Sequence, residues 1–180
     1  MRLTNAPIPD LKIIELDIHL DNRGFFVERY NEKKFQELGL PINYVQDNCS
    51  RSIPGVIRGL HYQNNPGQAK LVGCINGRIW DVAVDIRKNS PTFGKYFSIE
   101  LSSDNGLLLY IPTGFAHGFC VLGDEPADVI YKVDALYSKE GEGGIIYNDL
   151  DININWPIKN PIISKKDQEL PNLKEYLTKI

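Results

Sequence analysis

The chain has 180 residues, of which 42% are hydrophobic and 24% are charged, and its formal net charge is −3. Because the overall charge is slightly negative, it provides no general attraction for nucleic acid or for an anionic membrane, and we expect neither as a partner. No stretch approaches the ~18 uninterrupted apolar residues of a membrane span, and residues 1–10 lack the charged and apolar segments of a secretory signal. We therefore expect a cytoplasmic protein that folds as a single domain over residues 1–180.

Short β-branched and aromatic runs recur along the chain, separated by Gly, Pro, Asn and Asp. Because long helical periodicity is scarce, this pattern predicts an all-β fold. In chain order, the predicted strands cover residues 13–20, 25–30, 44–52, 55–63, 69–86, 95–102, 107–112, 116–123 and 127–134, with a hairpin turn at 75–79. Two short helices are predicted beside the sheets, at residues 31–40, where Gly39 ends the helix, and at residues 167–177.

The three histidines are the side chains best suited to move protons near neutral pH. His19 lies in an alternating strand pattern, where a structural role is expected. His61 follows Arg58 in the run IRGLHYQ, and both residues are predicted near one mouth of a barrel although strand alternation puts them out of phase. From the residues alone, His61 fits a hydrogen-bonded core histidine as well as a catalytic one.

A spaced set of residues that ends at His117 resembles the second sequence motif of the cupin superfamily. The set consists of Gly106, Pro112, Gly114 and His117, and this resemblance implies a small jelly-roll barrel. Metal-binding cupins also carry an HxH pair and a Glu in their first motif, a facial array that holds a transition metal. Because position 63 is Gln63 rather than a histidine, we expect no catalytic metal.

Several longer motifs occur together in one order between residues 8 and 170. They are DNRGFFVERY, QDNCSRSIPGVIRGLHYQ, QAKLVG, IPTGFAHGF, YKVDALYSKEGEGGI and INWP. In this order the motifs closely resemble the dTDP-4-dehydrorhamnose 3,5-epimerase family of cupin-type nucleotide-sugar epimerases. The resemblance implies a cupin-type jelly-roll β-barrel, a nucleotide-diphosphate sugar as substrate and a reaction without metal or organic cofactor. It also implies a homodimer in which an N-terminal strand joins the neighbouring subunit's sheet.

The reaction that this resemblance implies inverts C3, C5 or both in a 4-keto-6-deoxy sugar. A hydrogen on a carbon beside a ketone becomes removable when a base is poised nearby and the developing enolate oxygen is stabilised. By resemblance, His61 is the base, Asp167 hydrogen-bonds its other ring nitrogen, and Lys70 lies beside the C4 oxygen. Tyr131 matches the donor that returns the proton on the opposite face, since a phenol with a pKa near ~10 is protonated at neutral pH.

The resemblance further implies a set of substrate-binding residues. Tyr137 corresponds to the position that stacks on the nucleotide base, where aromatic stacking contributes ~1–3 kcal/mol. Cations and forked donors for the diphosphate are expected from Arg23, Arg58 and Lys166. The remaining expected substrate contacts are Glu28, Gln46, Asn48, His117 and Glu142.

Three alternatives remain open from the sequence. A related epimerase would invert only C3 or only C5, or act on a different nucleotide sugar such as a GDP-linked 4-keto-heptose, because the C4 ketone serves both centres. A catalytically silent cupin that binds a nucleotide sugar is a second alternative, but a binding module has no need for both a base and an acid. A metal-dependent cupin isomerase or oxygenase is disfavoured by the missing HxH pair.

Overall fold

Short strands dominate residues 1–178, the part of the chain that the computed structural model describes. Within this part lie thirteen strands and three helices: β1 (Arg2–Asn5), β2 (Lys12–Glu15), β3 (Ile18–Asp21), β4 (Gly24–Val27), α1 (Glu32–Glu37), β5 (Gln46–Ser52), β6 (Ile57–Gln63), β7 (Lys70–Asn76), β8 (Arg78–Asp85), β9 (Tyr96–Ser102), β10 (Leu107–Ile111), β11 (Phe115–Leu122), β12 (Ala127–Val133), β13 (Glu142–Gly144), α2 (Lys165–Gln168) and α3 (Leu173–Leu177). The predicted all-β class with short peripheral helices is confirmed. None of these helices is long and apolar enough to cross a membrane. The predicted single domain covers residues 1–180, of which residues 179 and 180 lie outside the described part of the chain.

The strands form two larger antiparallel sheets and one ribbon. The six-stranded sheet has the order β1-β2-β10-β7-β12-β5, and the five-stranded sheet has the order β13-β6-β11-β8-β9. In the described residues, β3 and β4 pair with each other alone, as a ribbon that belongs to neither sheet. Neighbouring strands are mostly distant in sequence, which is typical of a jelly roll whose two sheets enclose one interior.

Apolar side chains from both sheets fill the space between them. Val72 of the six-stranded sheet and Phe119 of the five-stranded sheet belong to the same buried cluster. Because side chains alternate along β7, Leu71 points away from this interior and packs in a second cluster with Phe35 of α1. Helix α1 therefore covers part of the outer face of the six-stranded sheet.

The predicted hairpin at residues 75–79 is wrong. Although β7 ends at Asn76 and β8 begins at Arg78, β7 pairs with β10 and β12, whereas β8 pairs with β9 and β11. Gly77 between them has a φ of 71°, and a Cβ atom there would lie 2.6 Å from the carbonyl oxygen of Pro126. Since both edges of β7 are occupied by other strands, the chain turns a tight corner from one sheet to the other.

Two other predicted elements are divided in the structure. The strand predicted at residues 13–20 splits into β2 and β3, because the chain leaves the six-stranded sheet and enters the ribbon. The helix predicted at residues 167–177 splits into α2 and α3 at Pro171, which lacks an N–H and disfavours helical backbone in the residue before it. The side chain of Asn172 then caps α3 by accepting a hydrogen bond from the N–H of Glu175 at 2.9 Å.

Candidate active site

A cavity of about 290 Å³ opens between the two sheets. Strands β6 and β11 of one sheet and β7 and β12 of the other contribute side chains to its wall. The antiparallel register of β6 and β11 puts His61 opposite His117. The cavity brings together seven of the predicted site residues, namely Arg58, His61, Lys70, His117, Tyr131, Tyr137 and Glu142.

Two glycines let strands β6 and β11 approach closely beside this cavity. Gly59 has a φ of 112°, and a Cβ atom there would lie 2.7 Å from Gly118 Cα and from the carbonyl oxygen of His117. A Cβ atom at Gly118 would lie 2.6 Å from the carbonyl oxygen of Arg58. The pairing of the two strands also shifts register here. Such an irregularity re-aims side chains, so Arg58 and His61 both line the cavity although strand alternation puts them out of phase.

His61 and Asp167 form a hydrogen-bonded pair. His61 Nε2 lies 2.7 Å from Asp167 Oδ1, and the N–H of Gly59 donates to Asp167 Oδ2 at 3.3 Å. Burial raises the pKa of Asp167, but the hydrogen bond and charge of His61 and the N–H of Gly59 outweigh burial and hold that pKa below its ordinary value. Because an ionised carboxylate only accepts hydrogen bonds, His61 Nε2 carries the proton and Nδ1 is the basic nitrogen.

Lys70 is the buried cation of the cavity. It is 9% exposed, and its Nζ donates a hydrogen bond to the carbonyl oxygen of His61 at 3.2 Å. Burial lowers the pKa of Lys70 to about 8, while the charges of Asp81 and Glu142 act in the opposite direction. At pH 7 the side chain is therefore still mainly an ammonium group, beside the backbone of the histidine.

Tyr131 and His61 lie on facing sheets. Tyr131 belongs to β12, where it pairs with Val72 of β7 and with Asn48 of β5. Burial raises the pKa of its phenol, and the charge of Arg58 has a smaller, lowering effect. The phenol is therefore protonated at neutral pH, and a ligand between the sheets would have a base on one side and a proton donor on the other.

His117 pairs with a buried carboxylate that the sequence did not reveal as part of a site. His117 Nε2 lies 2.8 Å from Asp81 Oδ2, and both residues are buried. Within residues 1–178, Asp81 Oδ1 is buried without a hydrogen-bond partner. The sequence offers one signal for Asp81, a charged residue inside the apolar run of residues 79–84, but this signal does not reveal the contact with His117 on another strand.

A connected group of polar side chains lies at the mouth of the cavity. The Tyr137 hydroxyl donates to Glu142 Oε2 at 3.0 Å, and Lys166 Nζ lies 2.7 Å from the same oxygen. Gln46 Oε1 accepts a hydrogen bond from the N–H of Tyr137 at 3.0 Å, and Gln46 Nε2 donates to Asn48 Oδ1 at 2.8 Å. The structure thus connects three further predicted residues, Gln46, Asn48 and Lys166, with the residues that line the cavity.

Two predicted site residues lie outside the cavity of the chain that carries them. Arg23 stands in the turn of the β3–β4 ribbon, where its guanidinium pairs with Asp21 at 2.6 Å. Glu28 follows β4 and pairs with Lys34 of α1 at 2.7 Å. A contact of either residue with a ligand in the cavity stays a prediction.

Position 63, which carries the second histidine of the HxH pair in metal-binding cupins, has another set of contacts here. Gln63 Nε2 donates to the carbonyl oxygens of Pro66 and Leu136, each at 3.1 Å. Gln63 Oε1 accepts a hydrogen bond from the N–H of Ser138 at 2.8 Å. Among residues 1–178, no group of three or more His, Cys, Asp or Glu side chains is arranged to hold a metal ion.

Similarity to known proteins extends over nearly the whole chain. The family described as dTDP-4-dehydrorhamnose 3,5-epimerase matches residues 5–175. The dTDP-4-dehydrorhamnose 3,5-epimerase of Shigella flexneri is 53% identical over 169 residues, which cover 93% of this chain and 93% of that protein.

Solved structures share both the sequence and the fold. The dTDP-4-dehydrorhamnose 3,5-epimerase of Elizabethkingia anophelis NUHP1 has a TM-score of 0.90 and 52% identity, with 97% of each chain covered. The dTDP-6-deoxy-D-glucose-3,5-epimerase of Legionella pneumophila Philadelphia 1, in complex with dTDP-4-keto-L-rhamnose, has a TM-score of 0.92 and 46% identity, covering 96% of this chain and 93% of that chain.

Together, the barrel and its cavity define a cupin-type sugar epimerase, which is an isomerase. The chain belongs to the dTDP-4-dehydrorhamnose 3,5-epimerase family. The predicted family, jelly-roll fold and epimerase activity are therefore confirmed.

Proposed function

We propose that the protein inverts C3 and C5 of a dTDP-linked 4-keto-6-deoxyhexose by removing and returning protons through an enolate. The observation that carries this proposal is the shared cavity of His61, Lys70 and Tyr131, in which the base and the phenol belong to facing sheets. The names of the Shigella and Elizabethkingia relatives, which are 3,5-epimerases, support the choice of both carbons. The ligand in the Legionella structure supports the choice of nucleotide and sugar.

In the first step of the proposed reaction, His61 takes a proton from the carbon beside the C4 ketone, and the electron pair of that C–H bond becomes part of the enolate. Asp167 orients the ring and stabilises the imidazolium that forms. The negative charge that develops on the C4 oxygen is stabilised by the Lys70 ammonium, since attraction between charges is stronger in a buried site than in water.

In the second step, Tyr131 delivers its proton to the opposite face of the same carbon. Return of the proton from His61 would restore the starting configuration, so inversion requires this second group. The phenolate and the imidazolium afterwards exchange protons with water, and the reaction needs neither a metal nor an organic cofactor. Because C3 and C5 both neighbour the C4 ketone, the same groups serve both carbons in turn.

The substrate-binding roles follow the arrangement at the mouth of the cavity. Tyr137 is 58% exposed there, and we assign it to stacking on the thymine base. Arg58 and Lys166 are assigned to the diphosphate, because guanidinium and ammonium groups form charge-assisted hydrogen bonds with phosphate oxygens. The other proposed substrate contacts are Gln46, Asn48, His117 and Glu142. Because charge is costly in the hydrocarbon of a bilayer, a diphosphate does not cross it unaided, and the protein must share a compartment with its substrate. We propose that this compartment is the cytoplasm.

We also propose a homodimer in which an N-terminal strand of each chain joins the neighbouring sheet. The β3–β4 ribbon supports this arrangement, because its side chains Leu20, Phe25 and Phe26 are 80%, 55% and 69% exposed. Leu20 and Phe25 lie opposite each other in the ribbon, and large exposed apolar side chains that lie together mark interaction surfaces. Arg23 lies in the turn of the same ribbon and Glu28 directly follows it, so docking of the ribbon on a second copy would bring both residues to the neighbour's cavity.

Isotope exchange tests the proposed reaction. The protein is incubated in heavy water with dTDP-, GDP- and CDP-linked 4-keto-6-deoxy sugars and a GDP-linked 4-keto-heptose, and deuterium uptake is measured by NMR at each carbon. We expect uptake at C3 and C5 of the dTDP-hexose together with inverted product. Uptake and inversion at one carbon would instead indicate a single-centre epimerase. If the sugars bind but none of them takes up deuterium, the proposed catalysis is contradicted.

A further inference from the structure

The loop of residues 134–141, between β12 and β13, carries Tyr137 at the mouth of the cavity. Burial of apolar side chains contributes little to the position of its central part, because Leu136 is 65% exposed and Tyr137 is 58% exposed. A segment with few buried apolar contacts opens easily unless other interactions hold it. In this loop, hydrogen bonds from side-chain amides hold the backbone.

Gln63 makes two hydrogen bonds to this loop and a third to a neighbouring segment. It stands at the end of β6 and is 5% exposed. Its amide binds the carbonyl oxygen of Leu136 and the N–H of Ser138, which are the backbone groups on either side of Tyr137. A third hydrogen bond, to the carbonyl oxygen of Pro66, connects the loop with the segment that follows β6. Both N–H groups and the oxygen of the buried amide are thus occupied.

Two further glutamines bind the same loop. Gln46 Oε1 accepts a hydrogen bond from the N–H of Tyr137 at 3.0 Å, and Gln68 Nε2 donates to the carbonyl oxygen of Ala135 at 2.8 Å. The backbone is therefore held at each of residues 135–138. The entropy of ordering this loop is lost when the protein folds and not when a ligand arrives, which favours ligand binding.

We infer that Gln63 is a positioning residue that fixes Tyr137 for stacking on the nucleotide base. This inference rests on the proposed function, in which Tyr137 is the stacking residue. Histidine at position 63 has one N–H and one acceptor nitrogen when neutral and two N–H groups when protonated, so it makes at most two of the three hydrogen bonds. Glutamine supplies all three, so the position that binds metal in other cupins serves here to order a binding loop.

The substitution Gln63→Met keeps the length and apolar part of the side chain and removes the three hydrogen bonds. We expect the Kd for dTDP, measured by calorimetry, to rise about tenfold, because stacking on a misplaced ring is weakened. The KM for the dTDP-sugar should rise in parallel, while kcat stays within about twofold, because the proton-transfer groups lie on the barrel strands. Gln68→Met removes a single hydrogen bond to the loop, and a smaller rise in Kd is expected.

A double-mutant cycle separates positioning from general destabilisation. In a Tyr137→Ala background, Gln63→Met should change the Kd for dTDP by less than about twofold, because no ring remains to be positioned. Asn105→Ala is the matched control. Asn105 also binds three backbone groups, the carbonyl oxygen of Glu100 and the N–H groups of Ser102 and Leu107, but it lies in the β9–β10 turn. This control should unfold at a lower temperature and bind dTDP normally.

An unchanged Kd in Gln63→Met, with a weakened Kd in Tyr137→Ala, would overturn the positioning role. Fully additive losses in the double variant would also overturn it, because Gln63 would then act independently of Tyr137. Failure of the proposed function has a different signature, since the wild-type protein would then exchange no deuterium into the dTDP-sugar.

Discussion

His61 and Asp167 are 106 residues apart in the sequence, and His61 Nε2 lies 2.7 Å from Asp167 Oδ1. Helix α2 brings the carboxylate to the barrel. The side chain of Ser164 caps this helix and accepts a hydrogen bond from the N–H of Asp167 at 3.0 Å. A short segment after the last strand thus completes a pair whose histidine stands in the middle of β6.

Replacing the Asp167 carboxylate should weaken His61 as a base while the histidine itself stays in place. In Asp167→Asn the amide can donate to Nε2, which favours the tautomer whose Nδ1 carries the proton and cannot accept another. We expect kcat to fall by about 10²-fold or more, within the range that general acid–base catalysis contributes.

His61→Asn, in which no base remains, should abolish deuterium exchange at C3 and C5 and still bind dTDP normally. Wild-type exchange rates in His61→Asn would show that another group is the base.

Tyr131→Phe should separate proton removal from inversion. His61 and Lys70 are intact in this variant, so the enolate still forms and deuterium enters the substrate at C3 or C5. Because His61 returns a proton only to the face from which it was taken, the labelled sugar should keep its configuration. NMR of the recovered sugar measures both quantities. Inversion at the wild-type rate would assign the donor role to another acid or to water.

Activity should decrease as the pH rises through the pKa of Lys70. Burial lowers that pKa to about 8, and loss of the proton removes the charge that stabilises the enolate. The profile of kcat/KM, which reports the free enzyme, should therefore fall to half near pH 8. Lys70→Gln should lower kcat/KM by about 10²-fold or more at pH 7 and lack this decrease. A wild-type profile that is flat from pH 7 to above pH 9 would contradict the role of Lys70.

The β3–β4 ribbon should be required for assembly. Phe26→Asp puts a charge on its exposed apolar surface, and we expect the variant to sediment as a monomer with little activity, because Arg23 and Glu28 then reach no neighbouring cavity. Leu150→Asp is the matched control, since Leu150 is 91% exposed and lies far from the ribbon in sequence. A wild-type monomer at micromolar concentration, or a dimeric Phe26→Asp variant, would refute this assignment.

Acid stability should depend on Asp85, which holds the turn after β8. Burial raises the pKa of Asp85, but hydrogen bonds from Arg87, Ser90 and Thr92 outweigh it and lower that pKa from 3.8 to about 2. A carboxyl group whose pKa is lower in the folded chain than in the unfolded chain stabilises the folded state. This stabilisation is fully present above pH 3.8 and is lost as the pH falls through 2.

The shift in Asp85 corresponds to about 2 kcal/mol. Asp85→Asn should therefore lower the free energy of unfolding, measured with urea, by about this amount at pH 7. The difference from the wild-type protein should become small near pH 2. Asp124→Asn, at an exposed position, should change neither value. An equal difference at both pH values would mean that Asp85 acts through packing and not through its charge.

The sequence predicts most of the strands and the shared motifs, because alternation of apolar residues reports burial locally, but it predicts neither β1 nor β13. It was not sufficient for connections between strands. Asn76 and Gly77 carry the same turn signal whether the next strand pairs with β7 or crosses to the other sheet, and only the occupied edges of β7 decide between these outcomes. In the same way, the role of Asp81 depends on His117, which reaches it through the register of β8 and β11.

Resemblance to a family assigned roles to residues without locating them. Arg23 and Glu28 lie outside the cavity of their own chain. Arg23 is in the turn of the ribbon and Glu28 follows it, and among the described residues the ribbon strands pair only with each other. Gln63 shows the opposite case. Its identity was recognised as a departure from the metal-binding pattern, but its three hydrogen bonds became visible only when the loop of residues 134–141 was placed beside it.

The close approach of Gly59 and Gly118 sets a limit on how this barrel can diversify. Neither residue has a functional group. A single methyl group at either position would nevertheless force β6 and β11 apart and displace both His61 and His117. Loops at the cavity mouth can exchange side chains one at a time, because each change affects a local contact. Gly59 and Gly118 cannot be replaced in this way. Sequence variation that adapts the site to a different sugar should therefore accumulate at the cavity mouth and be almost absent at these two positions.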